Sequence, residues 1–387
     1  MIGDAPSATA TGLAEEGLSP PALGGRGERL KTLLSPLLAL VTAFIFCGIL
    51  LLLTGHNPLT VYQVLWTGAV TGQSAFAETL VSTTPYILLG LAVALGFKGG
   101  LFNIGAEGQF ILGAIGATWA GHLFGGLPAI FLAVVALLVG ALAGALYAAI
   151  AGALKVISGA HEVITTIMLN YIAAYLVSFL VDTNGPMHGG SQIQQSYYIA
   201  NGASLPIIAA GTRLHAGLLI ALLGALVVYV LIWRTTWGFE LRAVGLNPSA
   251  ARSAGISIRR VTVWTMAASG ALAGLAGAIQ ITGLQHVLPD PFASGLGFDA
   301  IAVAIIGLGH PVGIVLAALL LGALRNAATY MEQTAGISGP FVSVIEATVL
   351  FFVAAPVVIR WIYSRRKRGR AHSPATSTTA RTESDEA

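Results

Sequence analysis

Charge is scarce in this sequence. Only 9% of its 387 residues are Asp, Glu, Lys or Arg, where soluble domains carry about 25%. So little charge cannot coat a surface that faces water on every side. Cysteine is nearly absent: Cys47 stands alone, which excludes an internal disulfide and any multi-cysteine metal site. The motifs of nucleotide and hydrolytic chemistry are missing as well. A phosphate-cradling GxxxxGK[ST] loop needs glycine, then lysine, then Ser or Thr. Lys31 is the only lysine followed by Ser or Thr, and Leu30 precedes it. His161-Glu162 has no second histidine at HExxH spacing, Gly307–Gly313 ("GLGHPVG") does not fit GxGxxG, and no GxSxG occurs. The eight histidines are scattered. The sequence points away from an enzyme, and no cofactor, metal or nucleic acid is expected.

What the chain has in abundance is apolar: 56% hydrophobic residues and a mean hydropathy of +0.82. Apolar runs near about 20 residues, the length that crosses a bilayer as helix, recur from Leu33 to Ile362. An all-α integral membrane fold is expected, with spans near 33–53, 81–97, 104–123, 128–154, 163–181, 215–233, 262–283, 296–309, 312–330 and 341–362. The first segment follows an acidic stretch (Asp4, Glu15, Glu16) rather than the basic start of a signal peptide, so it reads as an uncleaved span. Lys and Arg favour the cytoplasmic side. With the N-terminus inside, all 19 basic residues except Arg213 and Arg325 fall on that side. Residues 1–32 and 363–387 then read as disordered cytoplasmic tails around a membrane domain at 33–362.

Ten spans divide into five plus five, and an odd-numbered repeat comes out inverted. Spans two ("ILLGLAVALGF") and seven ("ASGALAGLAGA") would correspond. Spans two, three and eight are short and interrupted, the pattern that marks a transport site at the membrane midplane. Glycine supports close packing: GxxxG pairs occur at Gly121/Gly125, Gly140/Gly144, Gly270/Gly274 and Gly309/Gly313, and small residues let helices approach where no hydrophobic effect drives them together.

Within this apolar frame, "GLFNIGAEGQF" (Gly100–Phe110) places Asn103, Glu107 and Gln109 among three glycines. Polar groups at that depth are costly unless they face protein or a water-filled cavity. Asn103 and Glu107 would share a face if the segment is helical, with Gln109 elsewhere. Two readings stand: a lining for a translocation path, or a structural network in which Glu107 caps a helix end or pins neighbouring spans. Asn170 in "IMLNYIAAY" and Asp299 in "GLGFDAIAVAI" are further path candidates. Glu346 could pair with Arg325. Tyr171 and Tyr175, one turn apart, suit either packing or stacking on a nucleobase.

The loop 234–261, with five arginines between its ends, is the most specific feature outside the spans. Asn247 suits an N-cap and Pro248 the first helical position. Alanines 250, 251 and 254 favour helix, and Gly255 suits the stop. A helix over 248–254 is predicted, too short to be stable without a docking surface. The other long connection, 182–214, is polar, glycine-rich and nearly uncharged; it reads as a docking surface for an external protein or as a plain connection.

"GFELRAVGLNPSAARSAGI" (238–256) resembles the coupling segment of ATP-binding-cassette importer permeases of the branched-chain amino acid/simple sugar class. Together with "FNIGAEGQ" (102–109) and "GFDAIAVAIIGLGHPVGI" (297–314), the chain resembles the nucleoside or simple-sugar permeases, in particular the larger of two paired subunits, over roughly residues 35–362. The resemblance implies a bacterial inner-membrane importer with a cytoplasmic ABC ATPase, a second permease, and an external substrate-binding protein or lipoprotein. It implies ATPase coupling through Glu240, Arg242, Gly245, Asn247, Pro248, Ala251 and Gly255, and a substrate path past Asn103, Glu107, Gln109, Asn170 and Asp299. On residues alone, an ion-coupled secondary transporter using Glu107 and Asp299 remains the alternative, as do a membrane enzyme and a purely structural subunit.

Overall fold

The computed structural model describes residues 57–292 and 295–335 without a break, with scattered residues between 41 and 55 and between 344 and 351 beyond them. The first and last expected spans, both tails and Glu346 lie largely or wholly outside the described residues. The described chain is helical: α1 (Pro58–Val70), α2 (Gln73–Lys98), α3 (Ala106–Leu123), α4 (Ala129–Ser158), α5 (Glu162–Val181), α6 (Gly217–Arg234), α7 (Thr236–Leu246), α8 (Pro248–Ser253), α9 (Ile258–Gln280), α10 (Leu296–Ile306) and α11 (Pro311–Ala335). Among the described residues, β structure is limited to three isolated bridges.

Six of these helices are long and apolar enough to cross a membrane: α2, α4, α5, α6, α9 with its terminal π turn, and α11. The chain is therefore a multi-pass membrane protein. Two elements depart from the sequence expectation, and a third, the eighth span, is as short as expected. Helix α1 was not foreseen, although Asn57 Oδ1 accepts from Leu59 N at 3.0 Å and Pro58 occupies the first turn, the same start signal seen at Asn247-Pro248. Helix α2 begins eight residues before the expected Val81. Its polar first turns carry Glu78, held by Arg213 of the 182–214 connection at 2.8 and 2.6 Å. A hydropathy window misses a helix that continues past the apolar zone. The eighth span is a half-helix: α10 has 11 residues, about 16 Å at 1.5 Å per residue, against about 30 Å of hydrocarbon.

Helix α2 is buried along most of its length and forms the axis, with α6, α9, α10 and α11 packed around it. Helices α3, α4 and α9 make the tightest group. A Cβ on Gly144 would collide with the Gly270 carbonyl, one on Gly274 with the Gly140 carbonyl, and one on Gly113 with Gly274. The pairs Gly140/Gly144 and Gly270/Gly274 thus meet backbone to backbone. Gly121 and Gly125 instead face Ile199, Ala200 and Ala203 of the 182–214 connection, and Gly313 faces the Gly307 turn.

Gly274→Leu should be strongly destabilising, because the added side chain has no space between α4 and α9. Overpacking costs about 1–3 kcal/mol even in more forgiving cores, so the melting temperature in detergent should fall by at least about 2 °C. Gly126→Leu, at a glycine with nothing within 4 Å of an added Cβ, should leave it unchanged. Equal melting temperatures for the two variants would contradict the close crossing.

Candidate functional site

A helix that begins inside a membrane protein leaves its first N–H groups without partners, and in hydrocarbon nothing else supplies them. Helix α3 begins this way at Ala106, and its cap residue Gly105 has no side chain to offer. One local and one distant side chain do the capping. Asn103 Oδ1 accepts from Gly105 N at 3.0 Å, and Asn170 Oδ1, from α5, accepts from Gly108 N at 2.8 Å. Asn170 also donates to the Ile104 carbonyl at 2.9 Å.

Asn103 and Gln109 form a reciprocal amide pair, each donating to the other at 2.9 Å. Asn103 donates in addition to Ser269 Oγ of α9 at 2.8 Å, and Ser269 donates to the Ala92 carbonyl of α2 at 2.6 Å. This closed network ties α2, α3 and α9 together with every amide group used. Because α3 starts at Ala106, Asn103 lies in the extended stretch before it and meets Gln109 rather than Glu107.

Glu107 serves a second helix. Its carboxylate accepts from Gly295 N at 2.7 Å and from Gly297 N, the first-turn donors of half-helix α10. A carboxylate at a helix N-terminus also opposes the positive end of the dipole. Gly297 permits the approach, since a Cβ there would strike the Glu107 backbone. Asp299, in the first turn of α10, accepts from the Tyr86 hydroxyl of α2 at 3.0 Å. The charge of Arg325 on α11 acts on both acids. Thus the starts of α3 and α10 meet at one elbow, whose polar groups satisfy each other. Asn103, Glu107, Gln109 and Asn170 are buried, and Asp299 is half-buried.

The basic loop forms its helix as the sequence spacing predicts, one residue shorter, over Pro248–Ser253. Asn247 Oδ1 accepts from Ser249 N and Ala250 N, both at 3.1 Å. Gly255, at φ +81°, ends it, and Ile256 N returns to the Ala251 carbonyl at 3.0 Å. Ala251 is only 3% exposed and points into the bundle. The outward surface is Pro248, Ser249, Ala250, Arg252 and Ser253, beside Leu246 at 87% exposure. Arg242 donates to the Gly238 carbonyl at 3.2 Å, and Glu240 lines a groove of about 400 Å³ with Trp237, Arg260 and Trp264. Gly245 presses on the α2–α3 turn: a Cβ there would collide with the Lys98 carbonyl and reach Gly100 N at 3.0 Å. The loop and the elbow are therefore in contact along the chain.

Residues 75–359 match the family described as branched-chain amino acid transport system / permease component. The chain belongs to this permease family. The permease is 38% identical over 354 residues to the guanosine ABC transporter permease protein NupP of Bacillus subtilis, covering 89% of this chain and 99% of the relative. It is 34% identical to the nucleoside ABC transporter permease protein NupB of Lactococcus lactis, over 89% and 96% of the two chains. With the glucose ABC transporter permease protein TsgB13 of Haloferax volcanii it shares 36% identity, over 82% and 86%. No solved structure matches the permease.

Two groups of functional weight escaped the sequence reading of the permease. Ser269 bridges Asn103 to α2, and its signal was a lone hydroxyl in the small-residue run "AASGALAG". Asn326 donates to the Gly68 and Ala75 carbonyls at 2.8 and 3.0 Å, pinning the α1–α2 junction. In the 182–214 connection, Ser196, Ile199 and Leu205 donate backbone N–H groups to the Leu288, His286 and Thr282 carbonyls, covering the exit of α9.

Proposed function

We propose that this permease is the larger of two permease subunits in an ATP-driven importer that carries nucleosides. Together the two subunits form the path, and a separate cytoplasmic ABC ATPase hydrolyses ATP. An external binding protein or lipoprotein delivers substrate to the 182–214 side. The observation that carries the reading is the capped α8: a six-residue helix held outward by Asn247 and Gly255, in a chain 38% identical to a guanosine permease. A helix that short needs a partner surface. The relatives named above are all ABC transporter permeases, which supports ATP rather than an ion gradient as the energy source. A simple sugar is the second reading, favoured by the glucose permease relative.

The loop arginines then face the cytoplasm of a bacterial inner membrane, with both termini on that side. Ten spans in an inverted five-plus-five repeat remain our reading. Its support is that α3 and α10, members three and eight of that scheme, start against each other at Glu107. Asn103, Glu107, Gln109, Asn170 and Asp299 border the path at that elbow, where a small displacement of α10 would open or close it.

The test is affinity purification of the complex in mild detergent from the native host. Wild type should bring down an ATPase and a second permease. Ala250→Trp with Arg252→Glu, both on the outward face of α8, should lose the ATPase and keep the second permease. Purification of wild type alone, with substrate movement in vesicles on an ion gradient without ATP, would refute the importer.

A further inference from the structure

The groove between α7 and the first turns of α9 holds opposite charges that do not meet. Its volume is about 400 Å³, and Leu231, Trp237, Glu240, Arg260, Trp264 and Ala268 are among the residues that line it. Glu240 comes from α7 and Arg260 from α9. The two form no ion pair, and neither side chain has a hydrogen-bond partner among the described residues. Nearby basic side chains are engaged: Arg242 donates to the Gly238 carbonyl, and Lys155 is bound to Glu162 at 2.6 Å. An acid and a base that share a groove without pairing across it suit a ligand that carries both charges. The trough between α6 and α11 offers no such chemistry, being apolar apart from the Tyr229 hydroxyl.

Depth supplies the second observation. Helix α6 ends at Arg234 and α9 begins at Ile258, so the charged end of the groove lies where two membrane-crossing helices end. Trp264 and Ala268 follow Ile258 at about 9 and 15 Å along α9, at 1.5 Å per residue, within reach of a hydrocarbon layer about 30 Å thick. The groove therefore runs from charge into hydrocarbon, the polarity of a phospholipid from headgroup to acyl chain. Tryptophan concentrates at membrane interfaces, and Trp264 is 61% exposed. None of the outward residues of α8 lines the groove, so it is separate from the surface proposed for the ATPase.

We propose that this groove binds one phospholipid whose headgroup carries both a phosphate and a primary ammonium, as in phosphatidylethanolamine. Arg260 receives the phosphate, for which a guanidinium is well shaped, and Glu240 receives the ammonium. The indoles of Trp237 and Trp264 flank the glycerol region, and an acyl chain follows Leu231 and Ala268. An anionic headgroup without an ammonium leaves Glu240 unmatched and adds a like charge beside it. A quaternary ammonium has no N–H to donate to the carboxylate. Bound there, the lipid ties α7 to α9, whichever substrate the permease carries.

The experiment purifies the full-length chain, with whatever subunits accompany it, in mild detergent. The sample is washed with an equimolar mixture of phosphatidylethanolamine, phosphatidylglycerol and phosphatidylcholine, and the lipids it retains are counted by mass spectrometry. Wild type should retain phosphatidylethanolamine over each of the others by about threefold to tenfold, the range that partly exposed charge contacts supply. Glu240→Gln should bring the three lipids within about twofold of one another. Arg260→Gln should lower the retained phosphatidylethanolamine by at least about threefold. Equal retention of the three lipids by wild type, which needs no variant to measure, would overturn the proposal and leave only ordinary bilayer contact. An unchanged preference in both variants would overturn it as well, by placing the lipid elsewhere. So would loss of the ATPase from Glu240→Gln with its lipid preference intact, which would assign the groove to protein docking.

Discussion

Glu107→Ala should reduce uptake to background and sharply lower the yield of well-behaved protein. The carboxylate accepts two backbone N–H groups at the start of α10, from Gly295 and Gly297. Hydrogen bonds to a charged group contribute about 1.5–3 kcal/mol each, and both donors would lose their acceptor. The loss of about 3–6 kcal/mol compares with a margin of about 5–15 kcal/mol for a whole folded protein. Arg325 would also lose one of the two acids on which its charge acts. Glu107→Gln keeps the volume and one acceptor, so it should fold with an intermediate melting temperature. Thermal unfolding in detergent and uptake in cells, measured on both variants, separate the two roles open to this residue. A fall in melting temperature that tracks the fall in uptake identifies the cap. Full stability with lost uptake would assign Glu107 to contact with substrate instead. An alanine variant normal in both would refute the role given to it here.

The polar residues of "GLFNIGAEGQF" were visible in the sequence as an anomaly, and composition alone showed that they needed partners. Their partners were not visible, because Asn170, Ser269, Gly295 and Gly297 are 62 to 190 residues away from the groups they meet. Helical periodicity assigned Asn103 to the face of Glu107. The helix starts only at Ala106, with Asn103 in the extended stretch before it, so its amide meets Gln109 instead. The coupling helix was legible almost to the residue, because capping is local chemistry: Asn247, Pro248 and Gly255 define it within nine positions. The same Asn-Pro signal at 57–58 went unread because α1 has no loop around it to draw attention. Burial was the least legible property. Ala251 and the exposed Ala250 are adjacent and identical in kind, and only the packing of α8 on the bundle distinguishes them. The half-length of α10 was largely legible: the expected span 296–309 was already short, bounded by Ser294-Gly295 and by Gly307–His310, and the helix ends three residues sooner, at Ile306.

Gly245→Val should separate ATPase binding from transport. On the reading proposed above, the surface offered to the ATPase is the outward side of α8, and Gly245 is not part of it. Its Cα side faces the α2–α3 turn, where a Cβ would overlap the Lys98 carbonyl and crowd Gly100 N at 3.0 Å. Gly100 in turn adopts φ +71° and would itself meet Gly245 Cα at 3.1 Å if it carried a Cβ. Two glycines on facing segments thus bring α7 into backbone contact with the turn, and Asn103 follows three residues later. On that reading, a displacement of α8 would pass through α7 to this contact and from there to the elbow that holds α3 and α10. Packed elements transmit such shifts because cores have low compressibility. Valine would hold the two segments apart by the width of a side chain and break the link without altering α8. The variant should therefore still retain the ATPase in a pulldown, while substrate uptake falls by at least about tenfold, the change produced by about 1.4 kcal/mol. Gly255→Ala serves as the comparison: it places a Cβ in open space at φ +81°, straining the end of α8 itself, so it should weaken ATPase retention and uptake together. Uptake by Gly245→Val equal to wild type would show that motion reaches the elbow by another route, and loss of the ATPase would show that α7 belongs to the docking surface.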